Sequence, residues 1–355
     1  MSTVVGNFDM FDEGSAGAAH LGAVPPEPRG EIADVSVVIP TYRRPALLAR
    51  CLDAVLAQAL APARYEIIVC DDGPDDATRA CVEDLARVHA QHGPCIRYLP
   101  VTSTQGPAGA RNAGWRAARA PRIAFTDDDT LPDTNWLSAG LRALGAGANA
   151  VSGRIVVPLR DRPTDYETDA AGLARAEFAT ANAFVERAAL ERVGGFDERF
   201  TSAWREDSDL QFALMQAGYR IDRAADAVVL HPVRPARWGV SISQQKKSQF
   251  DALLYKKYPR LFRQRLRSMP PLLYYAIIAA AAICLYALGN GRTGVASIAA
   301  LGWLALTAWF CAKRLATTAR TLSHVLEMAY TSVLIPFLSV FWRLYGAVKF
   351  RTLFL

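Results

Sequence analysis

The chain has 355 residues, with 40 Lys and Arg against 34 Asp and Glu for a formal charge of +6, long enough for a catalytic domain of ordinary size plus a further region. The excess cations gather ahead of an apolar C-terminal third, which points to anionic lipid headgroups as partners and away from nucleic acid. Cys51, Cys70, Cys81, Cys95, Cys284 and Cys311 are scattered, with no CxxC pair and no histidines at zinc spacing, so reduced thiols are expected rather than a zinc or disulfide framework.

Residues 1–33 are rich in Gly, Ala, Pro and acids and lack the basic start and apolar run of a signal peptide, so a flexible tail is expected. From Asp34 the pattern alternates. Val35-Ser36-Val37-Val38-Ile39 reads as a buried strand, Pro45 to Gln58 as a helix, Tyr65 to Cys70 as a strand and Asp76 to His92 as a helix. Ile96 to Leu99, Ala108 to Ala120 and Arg122 to Thr126 continue the series. Strand and helix in turn imply parallel β-α-β units with right-handed crossovers, whose ligands gather beyond the carboxyl ends of the strands.

The polar residues fall at those ends. Thr41 and Tyr42 follow the first strand, Asp71 and Asp72 the second, and Asp127-Asp128-Asp129 the fourth. Three adjacent carboxylates repel one another unless a cation sits among them. Mg²⁺ and Mn²⁺ take one or two carboxylates together with substrate phosphates, so a metal–diphosphate seat is expected, with a solvated acidic turn as the plain alternative. Within residues 34–240 neither GxGxxG nor GxxxxGK[ST] occurs, which removes support for dinucleotide oxidoreductases and P-loop enzymes. Further on, Glu206-Asp207-Ser208-Asp209 precede Leu210, Phe212, Ala213, Leu214 and Ala217, with Gly218 closing the run, as an acidic helix N-terminus does.

Residues 241–268 are read as a basic interfacial helical linker: Phe250, Leu253, Leu254, Leu261 and Phe262 recur at helical spacing among Lys and Arg, as a helix lying on lipid requires. Residues 269–355 form the membrane region. Its uncharged runs 269–288 and 294–312 make a helical hairpin, while the apolar segment 325–345, interrupted by Glu327 and Pro336, is re-entrant or interfacial, with a third span as the competing reading. Lys246 through Arg267 on one flank and Lys313, Arg314 and Arg320 on the other put both flanks, and with them the large N-terminal part, on the cytoplasmic side of an inner or plasma membrane.

The segments Val35 to Tyr42, Glu66 to Gly73, Gly109 to Gly114, Phe125 to Asp129, Thr180 to Phe184, Val193 to Asp197 and Arg205 to Leu210 resemble, in order, the successive motifs of family 2 glycosyltransferases of the GT-A fold. The resemblance covers Asp34 to His231. It implies an α/β catalytic domain over residues 34–240, a Rossmann-like, mostly parallel sheet with flanking helices, followed by the transmembrane region. It further implies a nucleotide-sugar donor, a divalent metal (Mn²⁺ or Mg²⁺) and inversion at the anomeric carbon. Carried over, Pro40, Thr41, Tyr42, Asp71, Arg111 and Asp127 would bind the nucleotide-sugar, and Asp129 with Asp127 would hold the metal. Asp128 takes the variable middle place of the Asp-X-Asp pattern. Asp207 matches the general base, preferred over Asp209, with Trp204 and Glu206 on the acceptor side and its pKa raised by Glu206 and Asp209. His231 is a candidate third metal ligand. The acceptor expected is lipid-linked or a glycan, with membrane lipids around it. A catalytically silent nucleotide-sugar-binding scaffold and a nucleotidyltransferase are the alternative classes.

Overall fold

The structure, a computed structural model, describes residues 33–103, 106–266 and 269–354; the N-terminal tail and Arg267 lie outside the described residues. The strands are β1 (Val35–Thr41), β2 (Tyr65–Asp71), β3 (Cys95–Pro100), β4 (Arg122–Thr126), β5 (Leu131–Pro132), β6 (Ala150–Val156), β7 (Asn182–Glu186) and β8 (Ile221–Leu230). They form a mixed sheet of eight in the order β3-β2-β1-β4-β7-β6-β8-β5. The first four are parallel, as the alternating pattern predicts. Strand β7 enters antiparallel to both β4 and β6, and β6 then runs parallel to β8.

The helices are α1 (Pro45–Leu56), α2 (Asp76–Val88), α3 (Pro107–Ala117), α4 (Trp136–Gly145), α5 (Asp165–Ala170), α6 (Arg187–Val193), α7 (Glu206–Gln216), α8 (Val240–Gln244), α9 (Gln249–Lys257), the single turn α10 (Pro259–Leu261), α11 (Leu272–Gly289), α12 (Thr293–Leu315) and α13 (Leu322–Lys349). Because strand side chains alternate between faces, the central strands feed two cores. Val35, Val37, Ile39, Ile67 and Val69 pack with Leu48, Leu52, Trp136 and Leu137 on one side. Val38, Ile68, Cys70 and Phe125 pack with Ala110, Trp115, Leu190 and Leu210 on the other. Helix α3 lies almost on the sheet because Gly114 has no side chain: a Cβ there would sit 2.4 Å from Val38 Cγ1 and 2.6 Å from Cys70 Sγ. Helix α3 ends at Ala117, earlier than its apolar pattern predicts, because the chain turns extended at Ala118.

The apolar side chains of 249–262 differ from the expectation. Phe250, Leu253, Leu254 and Phe262 are buried against Phe200, Phe212, Tyr258 and Phe354, with Leu261 packed at the edge of the same cluster. They point into protein and are unavailable to lipid. The physical reason is that α9 is sandwiched between the catalytic domain and α13, so one amphipathic face serves as a second core.

Three helices, α11, α12 and α13, are long and apolar enough to cross a membrane, and they suggest membrane association. The third apolar stretch is one continuous helix of 28 residues containing Pro336, about 42 Å long at the α-helical rise. Its protein-facing side carries His324, Thr331, Ser332, Ser339, Arg343 and Gly346. Arg314 of α12 donates to Thr331 and Ser332 and pairs with Asp165 of α5 at 2.7 Å, tying the apolar helices to the irregular wall 157–179.

Candidate active site

Strand β1 is the point at which the strand order reverses, with β2 and β3 on one side and β4 on the other. Crevices form at such a switch point. A cleft of about 790 Å³ opens there, lined by Pro40, Thr41, Tyr42, Arg111, Asp127, Asp129, Trp204, Glu206, Asp207 and His231. Of the site residues expected from sequence, Asp71 alone is not on the lining. Its carboxylate is buried and fully engaged behind the β2 turn, accepting from Gly73 N, Asp75 N and the Tyr98 hydroxyl. The neighbouring Asp72 lines the cleft and accepts from the Gly106 amide at 2.8 Å.

The three consecutive acids diverge. Asp128 turns toward β1, accepting from Thr41 Oγ1 at 2.8 Å and from Arg44 Nη1 at 3.3 Å. Burial pushes its pKa up to about 6, with Arg44 opposing and Asp129 reinforcing the rise. Asp127 accepts from Arg111 Nη2 at 2.7 Å. Asp129 faces Arg234 Nε at 2.9 Å and His231 Nε2 at 3.5 Å. Asp127, Asp129 and His231 each present one ligand atom, all within 4.8 Å of one another. Two carboxylate oxygens and one imidazole nitrogen fit a divalent cation of the Mn²⁺ type, so the residues present suit the metal that the acidic run implied.

Opposite the acids lies the start of α7. Its N-cap, Arg205, has φ 77° and ψ −11°, a left-handed conformation that costs a non-glycine residue about 1–3 kcal/mol and persists only where the surroundings enforce it. This turn carries Glu206 and Asp207 into the cleft. Glu206 is buried beside Arg111, whose Nη1 lies 3.3 Å away. The Thr180 hydroxyl donates a short hydrogen bond to Asp207 Oδ1. Burial and then the charge of Asp207 push Glu206 up to about 8, against the pull of Arg111. Asp207 is raised as well, by burial first, with Arg111 and Thr180 opposing and Asp127 adding to the rise. The two carboxyls therefore titrate as a pair above the ordinary carboxylate range.

The direction of the Asp207 shift matches the sequence reading, but part of the cause does not. Asp209 turns away from the cleft to Lys257 at 2.5 Å, so the like charge that acts on Asp207 from outside the dipeptide is Asp127. Lys257 also holds Asp197 at 2.8 Å. Burial opposes the Asp197 charge, but hydrogen bonds from Arg199 and Lys257 overcome it and hold that carboxyl well below the usual range.

Sequence reasoning missed several residues that shape the site. Arg44 and Arg234 neutralise Asp128 and Asp129, and Thr180 orients Asp207. Asp251 of α9 accepts from Trp204 Nε1 at 3.2 Å and Arg205 Nε at 2.6 Å. Arg234 lies three residues beyond His231 and Thr180 opens one of the recognised motifs, so both carried a positional signal. Asp251 carried none. The 157–179 wall contributes Val157, Tyr166, Asp169 and Leu173 to the lining.

Known proteins similar to the chain are glycosyltransferases. The sequence profile described as Glycosyl transferase family 2 matches residues 36–204, and that described as Glycosyl transferase family group 2 matches residues 122–342. The glycosyltransferase AglE of Haloferax volcanii is 29% identical over 211 residues, covering 57% of this chain and 67% of the relative. A validoxylamine A glucosyltransferase of Streptomyces hygroscopicus subsp. limoneus is 28% identical over 284 residues, covering 68% of this chain but 59% of the relative. Among solved structures, the mannosyltransferase PcManGT of Pyrobaculum calidifontis, in complex with GDP-Man and Mn²⁺, superposes with a TM-score of 0.51 at 21% identity. That likeness covers 90% of this chain and 87% of the other, and it shows a shared GT-A-like fold.

Proposed function

The chain belongs to the family 2 group of glycosyltransferases, and from that premise we propose that it transfers a sugar from a nucleoside-diphosphate donor, with inversion, to a hydroxyl or phosphate of a lipid-linked or glycan acceptor. The observation that carries the reading is convergence. The ends of β4 and β8 and the N-terminus of α7 bring Asp127, Asp129 and His231 into one cleft with Glu206 and Asp207. GDP-Man and Mn²⁺ in the structurally similar mannosyltransferase support a nucleotide-sugar and a metal here.

Asp127, Asp129 and His231 would hold the divalent ion, which when bound offsets the negative charge that develops on the departing diphosphate. Arg111 fixes the direction of Asp127 through its 2.7 Å hydrogen bond and holds Glu206 with its other nitrogen. Pro40, Thr41 and Tyr42 line the nucleotide end. With Oδ1 of Asp207 occupied by Thr180, its Oδ2 is the atom that accepts the proton of the attacking hydroxyl. A carboxyl held above its ordinary range is a stronger base near neutrality than an exposed one. The wall 157–179 and Trp204 border the acceptor. The cations around the apolar helices support a cytoplasmic catalytic domain, residues 34–240, anchored by residues 269–355.

The test is release and transfer from a panel of UDP-, GDP- and TDP-sugars by detergent-solubilised protein, with Mn²⁺, Mg²⁺ or EDTA and a membrane lipid extract as acceptor. Metal-dependent nucleotide release stimulated by lipid is expected. Folded protein that releases nucleotide from no donor under any condition would contradict the reading.

A further inference from the structure

One carboxylate outside the cleft receives two N–H donors from the turn that starts α7 and faces a cationic side chain of α13. Asp251, 5% exposed, receives Arg205 Nε at 2.6 Å and Trp204 Nε1 at 3.2 Å on Oδ1, while Arg343 Nη1 of α13 lies 3.6 Å from Oδ2. The Arg205 guanidinium lies over the Trp204 ring, 4.6 Å from its centroid, so both side chains of the turn are fixed at once. That turn is the left-handed one that starts α7. If Arg205 relaxed to negative φ, the next two residues, Glu206 and Asp207, would swing away from Arg111 and Thr180. Two residues before Asp251, the Gln249 backbone is in direct contact with α13: a Cβ on Gly346 would lie 2.3 Å from the Gln249 carbonyl oxygen. Arg343 and Gly346 are three residues apart and therefore share one face of α13.

We propose that Asp251 is a positioning residue: it locks the Trp204–Arg205 turn, thereby places Glu206 and Asp207, and makes that placement depend on how α13 is seated. The inference rests on the reading of Asp207 as the base. A buried carboxylate shared by Arg205 and Arg343 transmits a displacement of either partner, because moving one cation changes the field in which the carboxylate holds the other. A group that orients an active-site residue in this way ordinarily changes turnover rather than donor affinity.

The experiment is hydrogen exchange by mass spectrometry on the full chain in detergent, comparing wild type with D251N and G346A. Exchange in peptides spanning residues 203–210 is expected to accelerate about tenfold or more in both variants, with peptides from α3 and β4 unchanged. Unchanged protection of 203–210 in folded D251N or in G346A would overturn the proposal. Should D251N not accumulate as folded protein, R205A and R205G carry the same test. Glycine adopts φ 77° without the side-chain penalty, so R205G should keep more protection than R205A, and equal exchange in the two would overturn the locked turn. In parallel, Mn²⁺-dependent nucleotide release from GDP-mannose and UDP-glucose should show kcat reduced about tenfold or more in D251N with donor KM held within about twofold; a raised KM at unchanged kcat would contradict positioning. The exchange readout does not depend on which carboxyl is the base, whereas turnover of D207N does, so failure of the inference and failure of the underlying reading are separable.

Discussion

Replacing Arg111 by methionine keeps the apolar stem of the side chain and removes the one charge that lies between Asp127 and Glu206. In the native chain Arg111 Nη2 is 2.7 Å from Asp127 and Nη1 is 3.3 Å from Glu206, whose side chain is 3% exposed. Removing one partner of a buried ion pair typically costs about 3–5 kcal/mol, because the other charge stays desolvated. The cost depends on pH in a defined direction. Glu206, raised to about 8 from an unfolded value near 4.5, binds its proton more readily folded than unfolded. Its contribution to native stability is therefore fully present at low pH and is lost as pH rises through that interval. Without Arg111 the Glu206 value climbs further. R111M should then be destabilised by about 3–5 kcal/mol at high pH, the deficit shrinking by up to about 1.4 kcal/mol per pH unit as pH falls toward 8 and Glu206 takes up its proton. Urea unfolding of the detergent-solubilised chain, followed by tryptophan fluorescence near pH 9.5 and near pH 6, measures both values. An equal deficit at the two pH values, or none at either, would refute the assignment of Glu206 as a buried carboxyl controlled by Arg111.

Asp129→Asn should weaken Mn²⁺ binding about tenfold or more, read by electron paramagnetic resonance titration, whereas His231→Gln should lower Mn²⁺ affinity more than Mg²⁺ affinity, because imidazole suits transition metals and Mg²⁺ prefers oxygen; equal losses for both ions would remove His231 from the site. Lys257→Met leaves Asp209 and Asp197 without their shared cation and should destabilise the fold by about 3 kcal/mol at neutral pH. Less should be lost near pH 4, as the buried Asp209, raised to about 6, takes up its proton; a deficit that grows on acidification would contradict this. Gly140→Ala drives a methyl to 2.2 Å from the Phe184 ring and should cost about 1–3 kcal/mol with donor affinity unchanged.

The parallel half of the fold was legible because β1, β2 and β4 are short apolar runs bounded by turn residues and separated by helical periodicity. Strand β7 was not, since Asn182-Ala183-Phe184-Val185-Glu186 fits an antiparallel or a parallel neighbour equally well and only the sheet decides. The acids at strand ends were legible for the same reason as the strands. Their cationic partners were harder to find: Arg44 and Arg234 are ordinary surface arginines until the fold sets them beside Asp128 and Asp129. The amphipathic pattern of Phe250, Leu253 and Leu254 was read correctly as one apolar face, but periodicity cannot say whether lipid or protein covers it. Here Phe200 and Phe212 do. Asp71 and Asp72 show the same limit at one-residue scale, since adjacent carboxylates end on opposite sides of a turn.

The measurement that bears most directly on the central claim is a comparison of wild type with D207N, with nucleotide-sugar turnover and donor binding determined on the same Mn²⁺-loaded preparations. The account predicts that D207N binds donor as wild type does and loses transfer by at least about a hundredfold, as removal of a general base requires. Undiminished transfer by D207N would contradict it.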